Sequence, residues 1–182
     1  MAVISLRGQT TNTCGELPPI GHTAPEFTLL DDQLQVRSLS DFAGIKLIYT
    51  VPSLDTPVCA KTTRKLVEQL NAAGQRQDTN VILVSADLPF AQQRYCKQFK
   101  LDITTLSLHR DTAFGHDYGL LIEDGPLTGL LARALLLLDR DNIIRYAELV
   151  VDIGNEPDYA AAQQVLADLS DTATRRATPH AH

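Results

Sequence analysis

Short apolar blocks alternate with turn-forming clusters along the chain, and the spacing inside each block separates strands from helices. "VISL" and "QTTNT", joined by Arg7-Gly8, predict a small N-terminal β-hairpin. "EFTLLDDQLQVRSL" predicts a second pair of short strands around Asp31–Gln33, and "SLSDFAG" a brief helical turn stopped by Gly44. Strand and helix then alternate. Strand 45–51 leads to helix 57–72, closed by Gly74, and strand 80–85 leads to helix 89–98, opened by Pro89. A short strand at 103–107 leads to helix 111–118, closed by Gly119. After the loop 121–130, the unbroken apolar run Ala134–Leu138 suits a buried strand, 131–138, which "DRDN" turns into strand 143–150. A last helix, 157–169, opens with Pro157 and sets Tyr159, Ala162, Val165, Leu166 and Leu169 on one face.

A βαβα run, an antiparallel hairpin and a closing helix predict an α/β domain with a central mixed sheet flanked by helices, plus the N-terminal hairpin. Thioredoxin-like folds have this order. No repeat or linker divides the chain, so residues 1–169 are expected to form one domain. The tail 170–182, "SDTATRRATPHAH", has no apolar periodicity and is expected to be disordered.

Charge narrows the function. Sixteen Lys and Arg against twenty-two Asp and Glu leave a net charge of −6, which argues against nucleic-acid or anionic-membrane partners. The N-terminus has no apolar leader, and the run at 134–138 is too short to span a bilayer. The expected address is cytoplasmic, where a disulfide would be catalytic or regulatory rather than a permanent staple.

The three cysteines are Cys14, Cys59 and Cys96. They form no CxxC and no zinc-type spacing with histidine, so neither metal nor cofactor is expected. Cys59 has the telling address. Thr56 suits an N-cap and Pro57 the first helical position, which puts Cys59 in the first turn of a helix that follows a core strand. Free backbone N–H groups and the positive end of the helix dipole favour an anion there, and the thiolate is the nucleophilic form of cysteine. The residues alone leave a second reading open, because Leu66 and Leu70 lie on nearly the same helical face and Cys59 could simply pack with them.

The pattern Pro52…Thr56…Cys59 resembles the active-site loop of the peroxiredoxins. "SADLPFAQQRYC" at 85–96 and "DGPLTGLLARA" at 124–134 resemble their thiol peroxidase subfamily, the bacterial atypical two-cysteine type. The likeness spans about residues 2 to 168, hairpin included. It implies a thiol-dependent peroxidase of antioxidant defence, reducing hydrogen peroxide and organic hydroperoxides. By the same resemblance Cys59 is the peroxidatic cysteine, which becomes a sulfenic acid. Thr56 bonds thiolate and peroxide, Pro52 walls the pocket, and Arg133 holds both reactants with its donor fork. Cys96 is the resolving cysteine of an intramolecular Cys59–Cys96 disulfide, thioredoxin the reductant, and the assembly a homodimer. Cys14 has no family role.

Two cysteines on different helices seldom meet the roughly 7 Å Cα separation that a disulfide requires, so local unwinding after oxidation is expected. Two rival readings keep Cys59 as the reactive group. A cysteine hydrolase would need a histidine base such as His109 or His116, and a redox sensor would pass its oxidation to a client protein.

Overall fold

The computed structural model describes residues 1–177. β1 (Val3–Leu6) and β2 (Gln9–Asn12) pair as the N-terminal hairpin. Arg7 and Gly8 both take positive φ between them, 51° and 80°, the backbone hand that a tight two-residue turn requires. The remaining strands are β3 (Thr28–Asp31), β4 (Val36–Ser38), β5 (Ile45–Thr50), β6 (Thr79–Ser85), β7 (Thr104–Ser107), β8 (Ala134–Leu138) and β9 (Ile144–Leu149). They form one seven-stranded sheet in the order β4-β3-β7-β6-β5-β8-β9.

β5, β6 and β7 run parallel, joined by α1 (Pro57–Ala72) and α2 (Pro89–Phe99), while every other pairing is antiparallel. The inner strands read as continuous apolar runs because both their faces are covered. Successive side chains alternate between two cores. Ile48, Ile82, Val84 and Leu136 join Ile4, Phe27 and the short helix α3 (Ala113–Asp117) through Phe114. Leu47, Tyr49, Leu83 and Leu135 join α1, α2 and α4 (Tyr159–Ala177) through Leu66, Tyr95 and Leu166. The mixed sheet with helices on both faces is the thioredoxin-like arrangement expected.

Three elements depart from expectation by two residues or more. α3 is shorter than 111–118, because the Asp111 side chain accepts from the Ala113 N–H and holds a turn ahead of the helix. β8 starts at Ala134, since the N–H of Ala132 turns aside to Leu120 O; Arg133 therefore precedes the strand rather than lying on it. α4 begins at Tyr159 and continues past 169 to Ala177. The rest of the tail, 178–182, lies outside the described residues.

Candidate active site

β5 ends at Thr50, and the chain loops to α1 at the carboxyl end of the parallel strands, where open α/β sheets form their crevices. Thr56 is the N-cap of α1, extended at φ −86° and ψ 140°, with Pro57 opening the helix. Its Oγ1 accepts from the Cys59 N–H at 3.3 Å and donates to Ser53 O at 3.1 Å. Cys59 thus stands in the first helical turn, facing inward and only 2% exposed.

Arg133 reaches the same point from the other side. It is wholly buried. One terminal nitrogen donates to Cys59 Sγ at 3.3 Å and to Ile153 O at 3.0 Å. The other donates to Tyr49 Oη and to Thr62 Oγ1, both at 2.9 Å. Tyr49 Oη donates onward to Thr62 Oγ1 at 2.9 Å, and Thr62 Oγ1 to Cys59 O at 3.3 Å. Burial pushes the Tyr49 phenol above its usual range against the pull of Arg133, so it stays a neutral donor in this chain. Burial alone would lower the Arg133 guanidinium, but Tyr49 and Cys59 outweigh it and hold the group above its ordinary value.

Among the described residues no carboxylate forms an ion pair with Arg133. A buried cation is costly unless its donors are met, and here the Cys59 sulfur and three oxygens meet them. The N-terminal hairpin completes the support. Ser5 O accepts from the Ile153 N–H at 2.9 Å, which fixes the carbonyl that Arg133 grips.

A cavity of about 410 Å³ opens over the sulfur. Cys59, Arg133, Thr56 and Pro52 line it, with apolar walls from Leu6, Val58, Leu127, Leu130 and Ile153, and exposed Arg7 also along its lining. A second cavity, about 470 Å³ and lined by Asp139, Arg145, Asp168 and Leu169, contains no cysteine.

Four of the five expected site residues therefore meet in one cavity, and Cys96 does not line it. Cys96 is 9% exposed on α2, and burial pushes its thiol up to about 11. It shares the apolar core of Cys59, and all three cysteines are free thiols. Cys14 lies apart, its Sγ within 3.4 Å of Gly115 O. His109 contacts Ser107 at 3.2 Å, and neither it nor His116 lines the cavity. Among the described residues no three His, Cys, Asp or Glu side chains are grouped to hold a metal ion.

Sequence reasoning missed Tyr49, Thr62 and the Ile153 carbonyl. Thr62 carried a signal, since i and i+3 share a helical face and put it beside Cys59. Tyr49 sat inside an apolar run, where a buried hydroxyl must find a partner.

The family model described as Redoxin matches residues 19–163. The thiol peroxidase of Mycobacterium tuberculosis is 45% identical over 168 residues, covering 91% of this chain and 99% of its own. The solved thiol peroxidase from Chromobacterium violaceum has a TM-score of 0.86 at 26% identity, covering 92% of this chain and 97% of that one. A peroxiredoxin-like protein from Aquifex aeolicus has a TM-score of 0.83 at 34% identity, covering 93% and 98%.

Proposed function

The chain belongs to the redoxin family, among the thiol peroxidases of the peroxiredoxins, and from that premise we propose that Cys59 is the sulfur that meets the hydroperoxide. The protein is a peroxidase, an oxidoreductase that turns over a hydroperoxide at the expense of a thiol reductant. One observation carries the assignment of its centre: the Arg133 guanidinium sits 3.3 Å from Cys59 Sγ with neutral oxygens as its other partners.

The Cys59 thiolate attacks the terminal peroxide oxygen. An S–O bond forms as the O–O bond breaks, and the electron pair leaves on the alkoxide or hydroxide, which takes a proton from water. Cys59 becomes a sulfenic acid. Arg133 stabilises charge moving from sulfur to oxygen without reorienting, because Tyr49, Thr62 and Ile153 O already fix its plane. Thr56 Oγ1 gives its proton to Ser53 O, which leaves a lone pair to accept the peroxide O–H. Pro52 and the apolar wall limit water around the sulfenic acid and favour alkyl hydroperoxides beside hydrogen peroxide.

Resolution follows when the Cys96 thiol attacks the sulfenic sulfur, forming the Cys59–Cys96 disulfide and releasing water. A thioredoxin-type dithiol then reduces that bond. The protein works in the cytoplasm in antioxidant defence, as a homodimer with the active-site loop, next to the exposed Val58 in the first turn of α1, near the interface. Among the described residues no helix is long and apolar enough to cross a membrane.

The test is a disulfide map of reduced protein after one equivalent of organic hydroperoxide, read by intact and peptide mass. A single Cys59–Cys96 bond with Cys14 free is expected. An unoxidised Cys59 would overturn the assignment, and a sulfenic acid at Cys59 without the bond would remove Cys96 from the cycle. Repeated turnover with thioredoxin separates the peroxidase from a relay, which would instead hold a mixed disulfide with a client.

A further inference from the structure

We infer that Asp87, which lies outside the peroxide cavity, is the positioning residue that sets the balance between the two chemical steps at Cys59, an inference that rests on the function proposed above. Asp87 occupies the turn between β6 and α2, the segment that leads to Cys96. Its carboxylate nevertheless binds the Cys59 loop. Oδ1 accepts from Ser53 Oγ at 2.6 Å, and Oδ2 accepts from the Leu54 N–H at 2.8 Å. Oδ2 also accepts from Ser85 Oγ at 2.8 Å, which anchors the carboxylate to the end of β6. Gln92, wholly buried on α2, donates to the same Ser85 oxygen at 2.9 Å. One side chain therefore ties the loop before α1 to the start of α2.

The consequence for chemistry runs through Ser53. Its side chain and the next N–H are held by Asp87, while its carbonyl accepts the Thr56 hydroxyl proton at 3.1 Å. Thr56 Oγ1 in turn accepts from the Cys59 N–H. Asp87 thus fixes which way the Thr56 lone pairs point, three hydrogen bonds from the sulfur. The same grip resists the opposite event. Disulfide formation needs the first turn of α1 and the Cys96 segment to part from their folded places, and the carboxylate bonds the loop to the head of α2 against that parting. A firm clasp speeds attack on peroxide, by preorganisation, and slows attack by Cys96 on the resulting sulfenic acid.

Asp87→Asn keeps the shape but can no longer accept all three bonds. The peroxide step, measured by stopped flow in a Cys96→Ser background, is expected to slow about tenfold. Disulfide formation from the sulfenic acid, measured with both cysteines present, is expected to quicken several-fold, so the variant survives higher peroxide before overoxidation. Ser53→Ala removes the 2.6 Å bond and the longer one that Ser53 Oγ accepts from the exposed Asp55 N–H at 3.2 Å, keeps both bonds to Oδ2, and should shift both rates in the same senses by less. It also keeps the question answerable if Asp87→Asn folds poorly. Val165→Ala in α4, matched for loss of thermal stability, is the control for mere loosening. Both rates unchanged, or both falling together as in the control, would overturn the inference while the parent protein still oxidises at Cys59. An unoxidised Cys59 in the parent would instead overturn the function on which it rests.

Discussion

The Tyr95 hydroxyl donates to Ala60 O at 2.6 Å, so the residue before one buried thiol is bonded to the residue after the other. Arg94 adds an ion pair to Asp55 at 2.9 Å, but both partners are exposed and it contributes little. α1 and α2 are thereby fastened together beside the two sulfurs, which shapes the first prediction.

Tyr95→Phe keeps the packing against Phe99 and removes the bond to α1. A buried hydrogen bond of this kind is worth about 1 kcal/mol net. Disulfide formation should quicken about fivefold with the peroxide step unchanged. Quenched-flow mass spectrometry of the Cys59–Cys96 product checks this; slower disulfide formation would mean that Tyr95 helps the two sulfurs to meet.

Arg133→Lys keeps the charge and loses the fork. A lysine cannot serve Sγ, Ile153 O, Tyr49 and Thr62 at once, so the kcat/KM for hydroperoxide should fall by about 10²-fold. Stopped-flow kinetics read the loss, and circular dichroism verifies that the variant is folded.

Tyr49→Phe tests the brace behind the arginine. It leaves one buried Arg133 donor with a single partner, Thr62, and should destabilise the protein by about 1–3 kcal/mol. The peroxide rate should fall about tenfold as the guanidinium plane loosens. Urea unfolding and single-turnover kinetics measure the two effects separately.

The Cys96 thiol gives a pH signature. Burial raises it from 9.0 to about 11 in the folded chain, so the folded state holds its proton more tightly than the unfolded one. Its contribution to stability is complete below pH 9 and is lost as pH rises through about 11. The urea midpoint of the reduced protein should drop over that window, and Cys96→Ser should show a smaller drop. Iodoacetamide should label native Cys96 slowly at pH 8 and rapidly once urea unfolds it.

What the sequence made legible depended on the range of the interaction. The Thr56–Pro57–Cys59 cap involves four consecutive residues and one helical turn, so local rules reached it. The sheet was legible because strands covered on both faces keep continuous apolar runs. The bonds of Arg133 to Tyr49 and Thr62 span 84 and 71 residues, and no local pattern records them. Arg133 itself was found through family resemblance and then set on a strand that it only precedes. The end of α4 escapes the pattern for a different reason: apolar periodicity reports a buried face, whereas a helix can extend past its packed stripe. Ser170 and Thr172 illustrate this, each hydroxyl donating to the carbonyl four residues earlier.

On the function proposed above, the buried charge of Arg133 also couples the fold to the oxidation state of its neighbour. While the sulfur is anionic, the guanidinium has its counter-ion, and the interior around it is electrically closed. In the cycle proposed above, oxidation to a sulfenic acid or a disulfide would remove that anion and leave the buried cation beside a neutral sulfur. Hydration would then satisfy it better than the folded pocket does, so on that cycle each oxidation would tilt this corner of the protein toward opening and each reduction would seal it again.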